Sequence, residues 1–256
     1  MFSIIHILYM VISAILSVAL LVILGIKVKD ISKKSLILKI FAVSTVVIHF
    51  SSLWVDFFKN GEAVVESNML LPIHPCNVCM WLLLIVAFSR KREGVVYKTM
   101  SEFAFWGGTV CGSIGILLNE NLAANPTLAD YDVLKGLLSH STMILGCVYL
   151  LVGGFVKVRV KNTVSVIFGL CTLVIDGAII NTLYSIFDLP PCNSMYLLDA
   201  PFPDIPWFNT LVIGIIAVLV TFLTTVVHEM INLPIEQRWY YLITHKGNTT
   251  SEKEKL

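Results

Sequence analysis

Seven apolar stretches, each about 18 residues or longer, set the terms on which this chain can fold. They cover residues 4–26, 36–58, 70–88, 97–118, 137–156, 163–187 and 208–231. As a helix, each is long enough to cross a hydrocarbon core of about 30 Å. A helix also satisfies its own backbone N–H and C=O groups, which a lipid surround demands. With 57% hydrophobic residues, 14% charged residues and a mean hydropathy of +0.84, the chain falls outside the ordinary soluble class. The connections leave no room for a separate soluble domain. The expected fold is therefore all-α, a polytopic membrane protein with seven transmembrane helices over residues 1–232. Residues 233–256 turn polar and read as a cytoplasmic, partly disordered tail.

The placement of charge predicts which way the bundle faces. Sixteen of the eighteen basic residues fall in the first, third and fifth connections and the tail, or just inside the neighbouring spans. Only Lys59 and Lys135 lie in the other connections, among Glu62, Glu66, Glu120, Asp130, Asp132, Asp188, Asp199 and Asp204. The positive-inside rule then puts the N-terminus outside and the C-terminus in the cytoplasm. The first span lacks the basic n-region and small-residue cleavage site of a secretory signal, so it counts as part of the bundle.

Against this apolar background the few polar residues gather near one face. His6, Asp56, His74, Cys76, His140, Asn181 and Tyr184 come from several spans but share a depth close to the outer surface. Polar and ionisable groups in hydrocarbon are costly and tend to mark a site. The third span enters through Pro72 and Pro75, which disturb its first turns and leave His74, Cys76 and Cys79 just below the surface. His140 lies a few residues into the fifth span, which enters from the same side. A thiol and an imidazole at matching depth meet the first requirement of nucleophilic catalysis, a nucleophile with a base in reach. The bland reading of each residue is interfacial anchoring or helix packing, and for an isolated cysteine it would prevail.

Other features carry less. Cys111, Cys147 and Cys171 sit mid-span and read as core packing, and Cys192 stands in the last outer loop. Gly108 and Gly112 have the spacing of close helix packing. His49 is mid-span and unaccompanied, and reads as packing. His228-Glu229 lacks the second histidine of a zinc-protease signature, and Cys76-x-x-Cys79 lacks a second CxxC, so no metal site is expected. The loop from Asp188 to Trp207 holds five prolines and is expected to form an extended, rigid cap. Trp239, Tyr240 and Tyr241 read as an interfacial anchor.

Taken in order, several short motifs resemble those of the YwaF-type bacterial integral membrane proteins, which are related to the eukaryotic transmembrane protein 164 acyltransferases. The similar elements are Phe2-Ser-Ile-Ile-His6, Leu71-Pro-Ile-His-Pro-Cys76, Glu102-Phe-Ala-Phe-Trp-Gly-Gly108, Ser139-His140 and Asn181-x-x-Tyr184 with the Pro-rich loop behind it. The chain departs from the pattern at Asn119-Glu120-Asn121 and at Ser141. The resemblance implies fatty-acyl transfer onto glycerophospholipids in a bacterial plasma membrane. By that analogy Cys76 is the nucleophile and His140 the base. His6, His74, Asn181, Tyr184 and Trp106 are then expected to bind or orient substrate. Membrane lipids are the expected partners, and neither a cofactor nor a nucleic acid is expected. The sequence does not name a protein partner. Two rivals stay open: a small-solute transporter or binding protein using the same polar cluster, and a membrane assembly protein whose polar residues only join helices.

Overall fold

The computed structural model describes residues 3–63, 67–119, 122, 126–202 and 204–245. Phe2, Glu66, Glu120, Asn121 and the tail from Lys246 onward lie outside the described residues. Among those described there is no strand, and the chain is built from helices. We label them α1 (Ile4–Lys27), α2 (Ile31–Phe50), α3 (Ser52–Asn60), α4 (Pro75–Phe88), α5 (Val95–Leu117), α6 (Tyr131–Val152), α7 (Val164–Ile186), α8 (Thr210–Asn232) and α9 (Trp239–Thr244). A single turn at Ser67–Leu70 precedes α4.

The helix starts follow local chemistry. Ser3, Asp30, Asp130 and Asn209 each accept a backbone N–H from the first turn of α1, α2, α6 and α8, satisfying donors that have no partner within the helix. Pro75 opens α4 at its first positions, where its missing N–H costs nothing. The second apolar stretch is broken at Ser51, whose N–H and hydroxyl both turn back to the Ile48 carbonyl.

Five helical segments are long and apolar enough to cross a membrane: Ile4–Lys27, Ile31–Asn60, Tyr131–Val152, Val160–Ile186 and Thr210–Asn232. The other two expected spans differ. Pro72 and Pro75 delay the third until α4, a helix of 14 residues, about 21 Å long. The fourth, α5, has 23 residues but carries Lys98, Ser101 and Glu102 in its first turns.

Helices α2, α4, α5 and α6 make the centre. In α6, 44% of the apolar window is buried, against 6% in α1, so α6 is central and α1 peripheral. Small residues let the central helices close up. Along α5, Gly108 faces Cys147, Gly112 faces Ile144 and Gly115 faces His140. The α6 partners fall in number as the glycines rise, so the two helices run antiparallel. A Cβ on Gly108 would overlap the Cys147 sulfur, and one on Gly112 would stand 2.7 Å from Ile144 Cγ1. The expected close packing at Gly108 and Gly112 is what the bundle contains. Across α2 and α6, the Phe41 and Tyr149 rings meet edge-on at 5.7 Å, and the Thr45 and Thr142 hydroxyls lie 3.2 Å apart.

One bundle end gathers His6, His74, His140 and Tyr184. At the other, the buried Glu229 carboxylate accepts the Val160 N–H at 2.8 Å and the Trp239 N–H at 2.9 Å. The second bond ties α9 to α8, so residues 233–245 fold back on the bundle.

Candidate functional site

The site begins where α4 begins. Pro75 and Cys76 are its first two residues, and His74 is the cap before them. The His74 N–H donates to Asn77 Oδ1 at 3.1 Å. Asn77 is buried, and its amide nitrogen also reaches the Asn68 carbonyl at 3.3 Å and His49 Nε2 at 3.4 Å. His49, expected to be unaccompanied, is therefore joined through Asn77 to the start of α4. The other side of His74 stacks on the Tyr196 ring, with centroids 5.8 Å apart.

Tyr196 belongs to the Pro-rich loop, and α7 holds that loop down. Asn181 accepts the Ser194 N–H at 2.7 Å and donates its amide to the Ser194 carbonyl at 3.2 Å. The Cys192 thiol also donates to Asn181 Oδ1, at 3.4 Å. From there Ser194 Oγ and the Met195 N–H both donate to the Ile73 carbonyl, at 3.1 and 2.9 Å. Tyr184 is buried beside Ile73 and Ile180. Asn181 and Tyr184 thus act on His74 through the residue before it. Gly177 makes the approach possible, since a Cβ there would stand 2.8 Å from Met195 Cβ.

Cys76 is half-buried, whereas Cys79 on the next turn is fully buried. Cys79 packs on α5 at Gly107, where a Cβ would stand 3.1 Å from its sulfur, and Cys147 packs on the neighbouring Gly108. All are free thiols. The core-packing expectation for Cys111 and Cys147 holds, whereas Cys171 is exposed on α7. Among the described residues no group of three or more His, Cys, Asp or Glu side chains is arranged to hold a metal ion.

His140 approaches from α6. Its Nδ1 sits 2.7 Å from the Gly136 carbonyl, which makes Nδ1 the protonated nitrogen and leaves Nε2 with its lone pair. Nε2 faces Gly115, where a Cβ would overlap the imidazole. One residue on, His6 Nε2 meets the Ile116 carbonyl at 2.7 Å. Both histidines therefore converge on one turn of α5. Cys111 stands one turn earlier on that helix, about 6 Å along the axis from Gly115. His74 is within electrostatic reach of the His140 ring. No hydrogen bond joins the Cys76 thiol to His140 among the described residues.

His6, His74, Cys76 and His140 thus share one corner between α1, α4, α5 and α6. Trp106 stands apart: it packs beside Phe105, with centroids 4.8 Å apart, about 13 Å along α5 from Gly115. Sequence reasoning passed over Asn77, and it read Gly115 only as one of the packing glycines of its span. A polar side chain two residues after a proline-marked helix start, and a fourth glycine in one helix, were the signals available.

The neighbouring Ser141 turns toward α1, where its hydroxyl lies 2.8 Å from Tyr9 Oη. Below this pair an open cleft of about 570 Å³ runs between α1 and α6. Its walls are apolar apart from serines and Tyr9.

No curated protein and no solved structure matches this chain. The family model described as the TMEM164 family matches residues 1–228, which takes in every helix up to the last turn of α8 and the whole of the corner just described. The chain is an integral membrane protein and belongs to the TMEM164 family.

Proposed function

We propose that this protein is a thiol-dependent lipid acyltransferase or acyl hydrolase working in the outer leaflet of a bacterial plasma membrane. In this reading the chain crosses the membrane seven times over residues 1–232, with its N-terminus outside. Residues 233–256 are then the cytoplasmic tail. The short α4 completes its crossing with the extended segment before it. The reading rests chiefly on one observation: His6 and His140 converge on one turn of α5, at the bundle end where α4 starts with His74 and Cys76 and beside an apolar cleft.

Cys76 is the more accessible thiol of its helix, and it stands at the helix N-terminus, which faces the negative charge that develops on sulfur. His140 Nε2 takes the thiol proton as the sulfur attacks the ester carbonyl. The ester C–O bond breaks, the lysolipid leaves with the proton returned by the imidazolium, and the acyl group stays on sulfur as a thioester. A hydroxyl of an acceptor lipid, or water, then attacks the thioester while His140 accepts its proton. The C–S bond breaks and the thiol is restored. His6 and His74 orient the reacting groups, and Asn181 and Tyr184 hold His74 through the loop.

The test uses the full chain in nanodiscs containing phospholipid with an isotope-labelled acyl chain and an unlabelled lysophospholipid acceptor. Wild type is expected to move label to the acceptor or release it as fatty acid. Cys76→Ala is expected to lose both by more than about 10³-fold, the scale on which removing a nucleophile acts. Cys79→Ala, at a fully buried thiol, is expected to retain activity. Full activity in Cys76→Ala removes the thiol from the mechanism.

A further inference from the structure

The cleft between α1 and α6 is not needed to assemble the Cys–His corner, yet it opens beside it. Along α1 its lining falls on one face, from Ile5 through Tyr9, Ser13 and Ser17 to Leu20, at the spacing of successive helix turns. Across from them stand Leu138, Ser141 and Leu145 of α6. Ser13 and Ser17 are small side chains that leave the space between the two helices unfilled. The Ser13 hydroxyl is already bonded to the Met10 carbonyl of its own helix, so it does not call for a polar ligand. The rims are exposed: Leu8 by 52%, Ile12 by 53% and Leu16 by 63%, so the cleft opens sideways to whatever surrounds the bundle.

Its dimensions choose between occupants. From Ile5 to Leu20 it runs about 22 Å along the helix axis. Its 570 Å³ are spread along that length, so the cleft is long and narrow. A helix about 10 Å across does not sit within so narrow a groove. A single hydrocarbon chain does, and the length exceeds one leaflet of a core about 30 Å thick.

The cleft also has a direction. Its polar step, Tyr9 with Ser141, lies at one end, one residue from His140 and one turn from His6. His6 meets Ile116, next to the Gly115 that His140 faces. The opposite end, at Leu16 and Leu20, is apolar apart from Ser17. We infer that this cleft binds one acyl chain of the lipid substrate, with the ester end at Tyr9 and Ser141 and the methyl end toward Leu20. The inference rests on the acyl-transfer reading for the word substrate, while the occupancy of the cleft can be tested without any turnover.

The probe is a phospholipid with a diazirine midway along one acyl chain, present at trace level in nanodiscs of unlabelled phospholipid and activated by light. Peptide mapping then compares label on residues 12–20 and 138–145 with label on the exposed α7 face at Phe168 and Ile175. Enrichment of about tenfold is expected, the ratio that a preference of about 1.4 kcal/mol produces. Cys76→Ala should keep the enrichment, because binding in the cleft does not require the thiol. Filling the cleft with Ser13→Phe and Ser17→Phe together should abolish it, and Ser13→Ala with Ser17→Ala should not. Label spread evenly over α1, α6 and α7 in wild type overturns the inference, whatever the filled variant does. Should Cys76→Ala prove fully active while the cleft is still enriched, the mechanism falls and the chain-binding cleft stands.

Discussion

His140→Ala is expected to slow acyl transfer by about 10²–10⁴-fold, the usual contribution of a positioned general base. The imidazole is held in one orientation by its own helix. Its Nδ1 is committed to Gly136 in its own helix, so the basic nitrogen must be Nε2. Gly115 leaves Nε2 room against α5, where a Cβ would overlap the ring. The loss should therefore appear in the rate of the first, acyl-forming step and less in lipid binding. Added imidazole should restore part of it, since the cavity left by the side chain sits where the base is needed. A rate unchanged by His140→Ala would move the role of base elsewhere, with His74 the nearest candidate.

Glu229→Ala is expected to produce the largest loss of stability, about 3–5 kcal/mol, from two hydrogen bonds to a buried charged acceptor. The carboxylate is almost fully enclosed and holds the N–H groups of Val160 and Trp239. Removing it strands both donors and frees α9 from the end of α8. Glu229→Gln keeps an acceptor oxygen and should lose less. The measurements are the thermal midpoint in detergent and the rate of proteolysis within residues 233–245. Because Glu229 lies at the bundle end opposite His140, acyl transfer per folded molecule should not change. An alanine variant as stable as wild type would mean that these backbone groups find other partners.

The two expectations mark what a single sequence does and does not reveal here. Apolar length predicted where helices run, because a lipid surround leaves the backbone few alternatives. The glycines of α5 pointed to close packing for a similarly local reason. Residue spacing alone did not indicate which thiol or ring faces which. Cys79 meets Gly107 and Gly108 because α4 and α5 pack at a particular rotation, and that rotation depends on side chains from several helices. Asn181 reads in sequence as a member of the outer polar cluster, expected to bind or orient substrate. Its work, gripping both backbone groups of Ser194, becomes visible only when the loop is in place. Glu229 was set aside with His228 as a failed metal motif, since partners 69 residues before it and 10 after it have no sequence signature.

The most direct measurement is the mass of the Cys76 peptide after brief exposure of the full chain to phospholipid and acid quench. The account predicts a gain of one acyl group on Cys76, released by neutral hydroxylamine as a thioester would be, and greatly reduced in His140→Ala. Product formed with the acyl group on another residue, or with none captured at Cys76, contradicts it.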